Sequence, residues 1–236
     1  MKFILYILLA LLSTVEADTQ TMRRRTGGAP AYTYAFDAAS GSGTSVYGSV
    51  NAWNHTVTTG QGNRALYVAI GYYDNVGNKT ITSCTYNSVS MTQVGFFRDG
   101  DNLCSAIYRL LNPATGTNEV RYTLSADGYG TIKGGAWSFT GVNQTTPNGT
   151  FATNAYYGST PATLNVSSVS GNIVISCSIL AAGWFTGFSH GADFNLTNTP
   201  VFAGQRATAT GETTSFSYTL NADQWWSVIG VATKPN

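Results

Sequence analysis

Charge is the first thing this chain lacks. Lys, Arg, Asp and Glu make up 10% of its 236 residues and nearly cancel, leaving a formal +1. A chain so poor in charge and 43% apolar collapses rather than staying disordered. It also makes a poor polyanion binder, and no nucleic-acid partner is expected. Outside Arg23, Arg24 and Arg25 the basic residues are scattered, and beyond residue 25 eight Lys or Arg face nine Asp or Glu. Histidine is scarcer still: His55 and His190 are the only two, which excludes a histidine-rich metal centre. The three cysteines show no Cys-x-x-Cys spacing and signal no zinc, and no cofactor is expected. Beyond the N-terminus no apolar run reaches the roughly 20 residues that span a bilayer, so the mature chain is expected to have no membrane-spanning segment.

What the chain has is glycine and aromatic residues: Gly 26, Tyr 14, Phe 11 and Trp 5. This composition describes short strands joined by tight turns. In the stretch from Asn63 to Tyr73, Leu66, Val68 and Ile70 share one face while Ala65, Tyr67 and Ala69 share the other. Both faces are apolar, which predicts a central strand covered on both sides. Ile173, Ile175, Cys177 and Ile179 alternate in the same way, as do Phe216, Tyr218 and Leu220. Residues 147–162 read as a long surface connection, and 181–200 as a loop or a pair of poorly marked strands. Tyr122-Thr123-Leu124-Ser125-Ala126-Asp127 is echoed by Tyr218-Thr219-Leu220-Asn221-Ala222-Asp223, which suggests equivalent edges of one sandwich or an old duplication. The expected fold is all-β, an antiparallel β-sandwich with a possible jelly-roll order, forming a single domain over residues 31–236.

Residues 1–17 carry Lys2, the apolar run Phe3 to Leu12 and a small-residue end at Ala17, the pattern of a secretory signal peptide cleaved before Asp18. Residues 18–30 form a flexible or processed segment, with Arg23, Arg24 and Arg25 as a candidate cleavage site. The expected location is therefore extracellular or at the cell surface. Six N-x-S/T acceptors, at Asn54, Asn78, Asn143, Asn148, Asn165 and Asn195, fit a glycoprotein. In that compartment Cys84, Cys104 and Cys177 become disulfide candidates. Cys84 with Cys104 is the first pairing, Cys104 with Cys177 the alternative, and Cys177 is otherwise a small buried apolar residue.

The motifs GNRALYVAI (62–70), NPATGTNEVRYTLS (112–125), WSFTGVNQTTP (137–147) and WWSVIGVATKP (225–235) together resemble a widespread family of uncharacterised secreted or surface modules. The likeness runs over residues 45–235 and implies a β-sandwich. It supplies no catalytic residue.

Chemical motifs are few. Ser189, His190 and Asp193 place triad residue types side by side, but in no nucleophile-elbow pattern, and they read as a polar loop. Asp99, Asp101 and Asn102 offer oxygen ligands for calcium, a hard cation, although the same residues make an ordinary turn. Tryptophan and tyrosine carry the stronger signal. Trp53, Trp184, Trp225, Trp226, Tyr72 and Tyr73, with Tyr156 and Tyr157, are candidates for a binding or assembly surface. The expectation is a non-enzyme: a secreted structural glycoprotein that assembles with copies of itself or other extracellular proteins into a fibril or surface layer. The alternative is a carbohydrate-binding or adhesion module, marked by exposed aromatics beside Asn, Asp or Gln, and a glycoside hydrolase ranks third.

Overall fold

Strand after strand follows the two-residue alternation, and the described residues of this computed structural model contain seventeen. They are residues 32–43, 48–58, 60–74, 78–100, 102–127, 132–158 and 161–236. The expected signal peptide, the processed segment with Arg23, Arg24 and Arg25, and Asp101 lie outside them. The first nine strands are β1 (Ala35–Gly41), β2 (Val50–Val57), β3 (Ala65–Tyr73), β4 (Ile81–Tyr86), β5 (Val89–Ser90), β6 (Thr92–Arg98), β7 (Leu103–Leu111), β8 (Gly116–Leu124) and β9 (Lys133–Thr140). The remainder are β10 (Ala152–Gly158), β11 (Ala162–Ser167), β12 (Ile173–Leu180), β13 (Phe185–Phe188), β14 (Ala192–Leu196), β15 (Val201–Thr208), β16 (Thr213–Leu220) and β17 (Gln224–Thr233).

These strands form four antiparallel sheets, where two had been expected. An inner sheet ordered β1-β9-β3-β7-β6 is backed by an outer sheet ordered β2-β8-β4-β5. A second inner sheet, β10-β17-β12-β15-β14, is backed by β11-β16-β13. The two halves therefore repeat: replacing β1, β9, β3, β7 and β6 by β10, β17, β12, β15 and β14 reproduces the inner order strand for strand. The echo at Tyr122 and Tyr218 falls at the same place in both, near the ends of β8 and β16.

Three cores separate the four layers. Leu66, Val68, Ile70, Cys84, Tyr86 and Tyr122 fill the first, between the first inner and outer sheets. Ala65, Tyr67, Trp137, Ile175, Cys177 and Phe202 fill the second, where the inner sheets meet. Leu164, Val174, Phe216 and Trp226 fill the third. β3 thus sends one face to each of two cores, as its doubly apolar pattern requires. The inner sheets approach so closely that rings lie on backbone. A Cβ at Gly204 would sit 2.3 Å from Phe194 Cζ and 2.5 Å from Trp137 Cζ2, so only glycine fits there.

The disulfide expectation fails: Cys84, Cys104 and Cys177 are all free and buried. The chain crosses the first core between β4 and β7, so Cys84 and Cys104 face that core from opposite sheets. Packed sheets stand about 10 Å apart, beyond the Cα separation a disulfide tolerates. Cys177 faces the next core over. Cys84 Sγ instead rests against Met91 Sδ at 3.6 Å. Burial pushes the Cys84 thiol up to about 12 and Cys104 up to about 11, and raises Cys177 as well.

Candidate functional site

β17 opens with two tryptophans that alternation must send to opposite faces. Trp226 packs into the third core. Trp225 points the other way and is 41% exposed. β10 runs beside them at the sheet edge, with Tyr156 opposite Trp226 and Tyr157 opposite Trp225. Tyr156 is 68% and Tyr157 47% exposed. The Tyr157 and Trp225 rings have centroids 4.9 Å apart and planes tilted by 57°.

Trp184, 56% exposed, is fixed by Asn221. Its N–H donates to Asn221 Oδ1 at 2.8 Å, and its carbonyl accepts from the Asn221 N–H at 3.2 Å. The Ala181 N–H donates to the Trp225 carbonyl, tying residues 181–184 to the start of β17. Asn221 and Asp223, both exposed, and half-buried Gln224 lie in the turn before and at the start of β17. Tyr157 and Trp225 thus form an exposed ring pair, and the turn leading into β17 carries two amides and a carboxylate. The other aromatic candidates are not part of it. Tyr72 is buried and donates to the Lys79 carbonyl, while Tyr73 is half-buried against the second core. Trp53 packs on Tyr122 in the first core.

Trp53 belongs to a second constellation, which sequence reasoning missed. His55 on β2 is buried in the first half, with Nδ1 2.8 Å from Ser40 Oγ and Nε2 3.1 Å from Ser138 Oγ. Ser138 donates to Asp37 Oδ2 at 2.8 Å, and Trp53 Nε1 donates to Ser40 Oγ at 3.0 Å. Counting protons fixes every direction. Ser138 spends its one proton on Asp37, so it accepts from His55 Nε2–H. Nδ1 is then bare and accepts from Ser40, whose oxygen accepts from Trp53. Burial lowers the His55 pKa to about 4, against the pull of Asp37, so the imidazole is neutral near pH 7. Burial alone would raise Asp37, but hydrogen bonds from Thr58 and Ser138, with His55 nearby, leave it below the ordinary carboxylate value.

The sequence-adjacent triad types do not assemble. Ser189 Oγ donates to Gln205 Oε1 and His190 Nε2 bonds the Ser215 carbonyl oxygen. Asp193 instead accepts from Trp137 Nε1 at 2.7 Å and pairs with Arg206. Arg206 in turn lies over the Phe36 ring, beside a cavity of about 350 Å³ lined by Tyr34, Phe36, Ile173 and Thr208. Asp99 and Asn102 form the β6–β7 turn, with Asp99 Oδ1 accepting from the Leu103 N–H at 2.7 Å. Among the described residues no group of three or more His, Cys, Asp or Glu is placed to hold a metal ion. Asp74, fully buried, is paired with Arg98 at 2.7 Å and Lys79 at 3.6 Å.

Of the glycosylation acceptors, Asn54, Asn78, Asn165 and Asn195 are exposed and Asn143 and Asn148 half-buried. Asn143 Oδ1 accepts from the Thr145 and Thr146 N–H groups, and Asn148 Oδ1 accepts from Tyr67 and Arg109. Among the described residues no helix is long and apolar enough to cross a membrane. No family model matches the sequence, and neither does any curated protein or solved structure.

Proposed function

We propose that the chain is a secreted, extracellular glycoprotein that binds carbohydrate through the rings at the β10–β17 edge. The observation that carries this reading is the cross-strand pair Tyr157 and Trp225, side by side and about half exposed. Pyranose rings present apolar C–H faces that pack on aromatic faces, while their hydroxyls need donors and acceptors at the rim. Asn221, Asp223 and Gln224 supply both. The order β1-β9-β3-β7 against β2-β8-β4, and its repeat in the second half, support reading each half as a jelly roll. Jelly rolls serve lectins and shell proteins alike, so the surface chooses between those roles and the fold does not.

The test is a glycan array followed by calorimetry on the best hit. Binding that falls about tenfold or more in Trp225→Ala, ~1.4 kcal/mol, with the fold intact supports the reading. An array without hits removes it. The second reading is a structural subunit assembling with copies of itself, favoured by β10 being an edge strand that carries the same exposed tyrosines. Light scattering that shows ordered polymers, lost in Tyr156→Lys, would put that reading first.

A further inference from the structure

The repeat provides an internal control for the polar chain around His55. On β2, Asn51 pairs with Tyr122 of β8; on β11, Ala162 pairs with Tyr218 of β16. The matched tyrosines of the echo set the register, and on it Trp53 corresponds to Leu164 and His55 to Val166. Leu164 and Val166 are plain core residues in the third core. The second half therefore has apolar side chains where the first has Trp53 and His55, and the fold does not require an imidazole at this place. Burying such groups costs free energy unless each is partnered, and here each one is.

The partners stand in a chemically meaningful order. Ser40 lies on β1 at the sheet edge and is half-buried, whereas the imidazole behind it is fully buried. We propose that Ser40 is a nucleophile toward a neutral carboxylic ester, with His55 as its general base and the Ser138–Asp37 pair as positioning residues. The Ser40 Oγ attacks the ester carbonyl carbon as its proton passes to His55 Nδ1. The tetrahedral adduct collapses, the alkoxide leaves with that proton, and Ser40 holds the acyl group. Water then attacks the acyl carbon, gives its proton to His55, and Ser40 recovers it as the carboxylic acid departs. During both steps the Nε2–H stays on Ser138, whose hydroxyl faces the Asp37 carboxylate, so the imidazolium forms within reach of a negative charge. Asp37 is the charge that bears on the imidazole, which disfavours an anionic phosphodiester and leaves a neutral ester as the substrate class. This inference does not depend on the carbohydrate reading, whose rings lie in the other half.

The experiment treats the full chain with a fluorophosphonate probe, maps the adduct by mass spectrometry and follows p-nitrophenyl acetate hydrolysis. Phosphorus bonds to Ser40 Oγ as fluoride leaves, and the adduct is expected on Ser40. It disappears in Ser40→Ala and persists in Ser189→Ala. His55→Val, which copies the second half, lowers labelling at least about a hundredfold, the usual scale of general-base assistance. If that variant fails to fold, Asp37→Asn provides the second arm, slowing labelling without removing the base. Because His55 stays neutral down to about pH 4, wild-type labelling is level from about pH 6 to about pH 8, as a general base already in its free form requires. No adduct on Ser40, or hydrolysis equal in wild type and Ser40→Ala, overturns the proposal.

Discussion

Acid acts on this fold first through His55. The imidazole is buried with both nitrogens bonded, and burial holds its pKa at about 4 against an ordinary 6.5. Between those values the unfolded chain takes up a proton that the native chain refuses. Stability is therefore fully present above the unfolded value and falls as pH drops toward the folded one. At about 1.4 kcal/mol per unit the loss is on the order of 3 kcal/mol for this single group. Asp37, lowered in the fold, adds its own loss only at more acidic pH. The assay is urea unfolding of wild type and His55→Val at neutral pH and near pH 4. His55→Val is less stable at neutral pH, since the Ser40 and Ser138 hydroxyls lose a partner. Its further loss in acid is smaller than the wild-type loss by about 3 kcal/mol. An equal acid loss in both proteins would refute the reasoning.

Other consequences are read in stability and thiol chemistry. Phe202→Ala, which removes a fully buried ring stacked on Phe194 where the inner sheets meet, costs about 3–5 kcal/mol in chemical unfolding. Trp184→Ala, at an exposed ring, changes stability by less than about 0.5 kcal/mol, so lost ligand binding in that variant is separable from misfolding. Gly204→Ala forces a Cβ against Phe194 and Trp137 and lowers the urea midpoint by the equivalent of about 1–3 kcal/mol. The native protein is expected to show no thiol reaction with Ellman's reagent at pH 8 and the urea-unfolded chain to react at three sites, with reductant leaving the thermal midpoint unchanged.

β3 was legible in the sequence because both its faces are apolar and each found a core. Cys177 was legible for the same reason, as one member of an isoleucine alternation. β10 was not: Asn154, Tyr156 and Tyr157 give no apolar period, because an edge strand with exposed faces needs none. The absence of the disulfide was not legible because the chain changes sheets between Cys84 and Cys104, and sequence spacing does not record which sheet a strand joins. Trp225 and Trp226 told their own story only halfway. Alternation required them to part, but which one reached a core depended on the sheet packed behind β17.

The amino-acid sequence alone determined the core strands and the apolar faces they had to bury, because a period of two is a local property of the backbone. It also held one trace of the repeat in the paired Tyr-Thr-Leu segments. Tertiary structure decided how many layers those faces would build and which side chains would meet. Asp37 and Ser138, 101 residues apart, share a hydrogen bond with His55 close by because β1, β2 and β9 converge at one end of the first core. Strand pairing and sheet stacking are long-range choices, fixed by whichever arrangement buries every apolar face and partners every buried polar group at once.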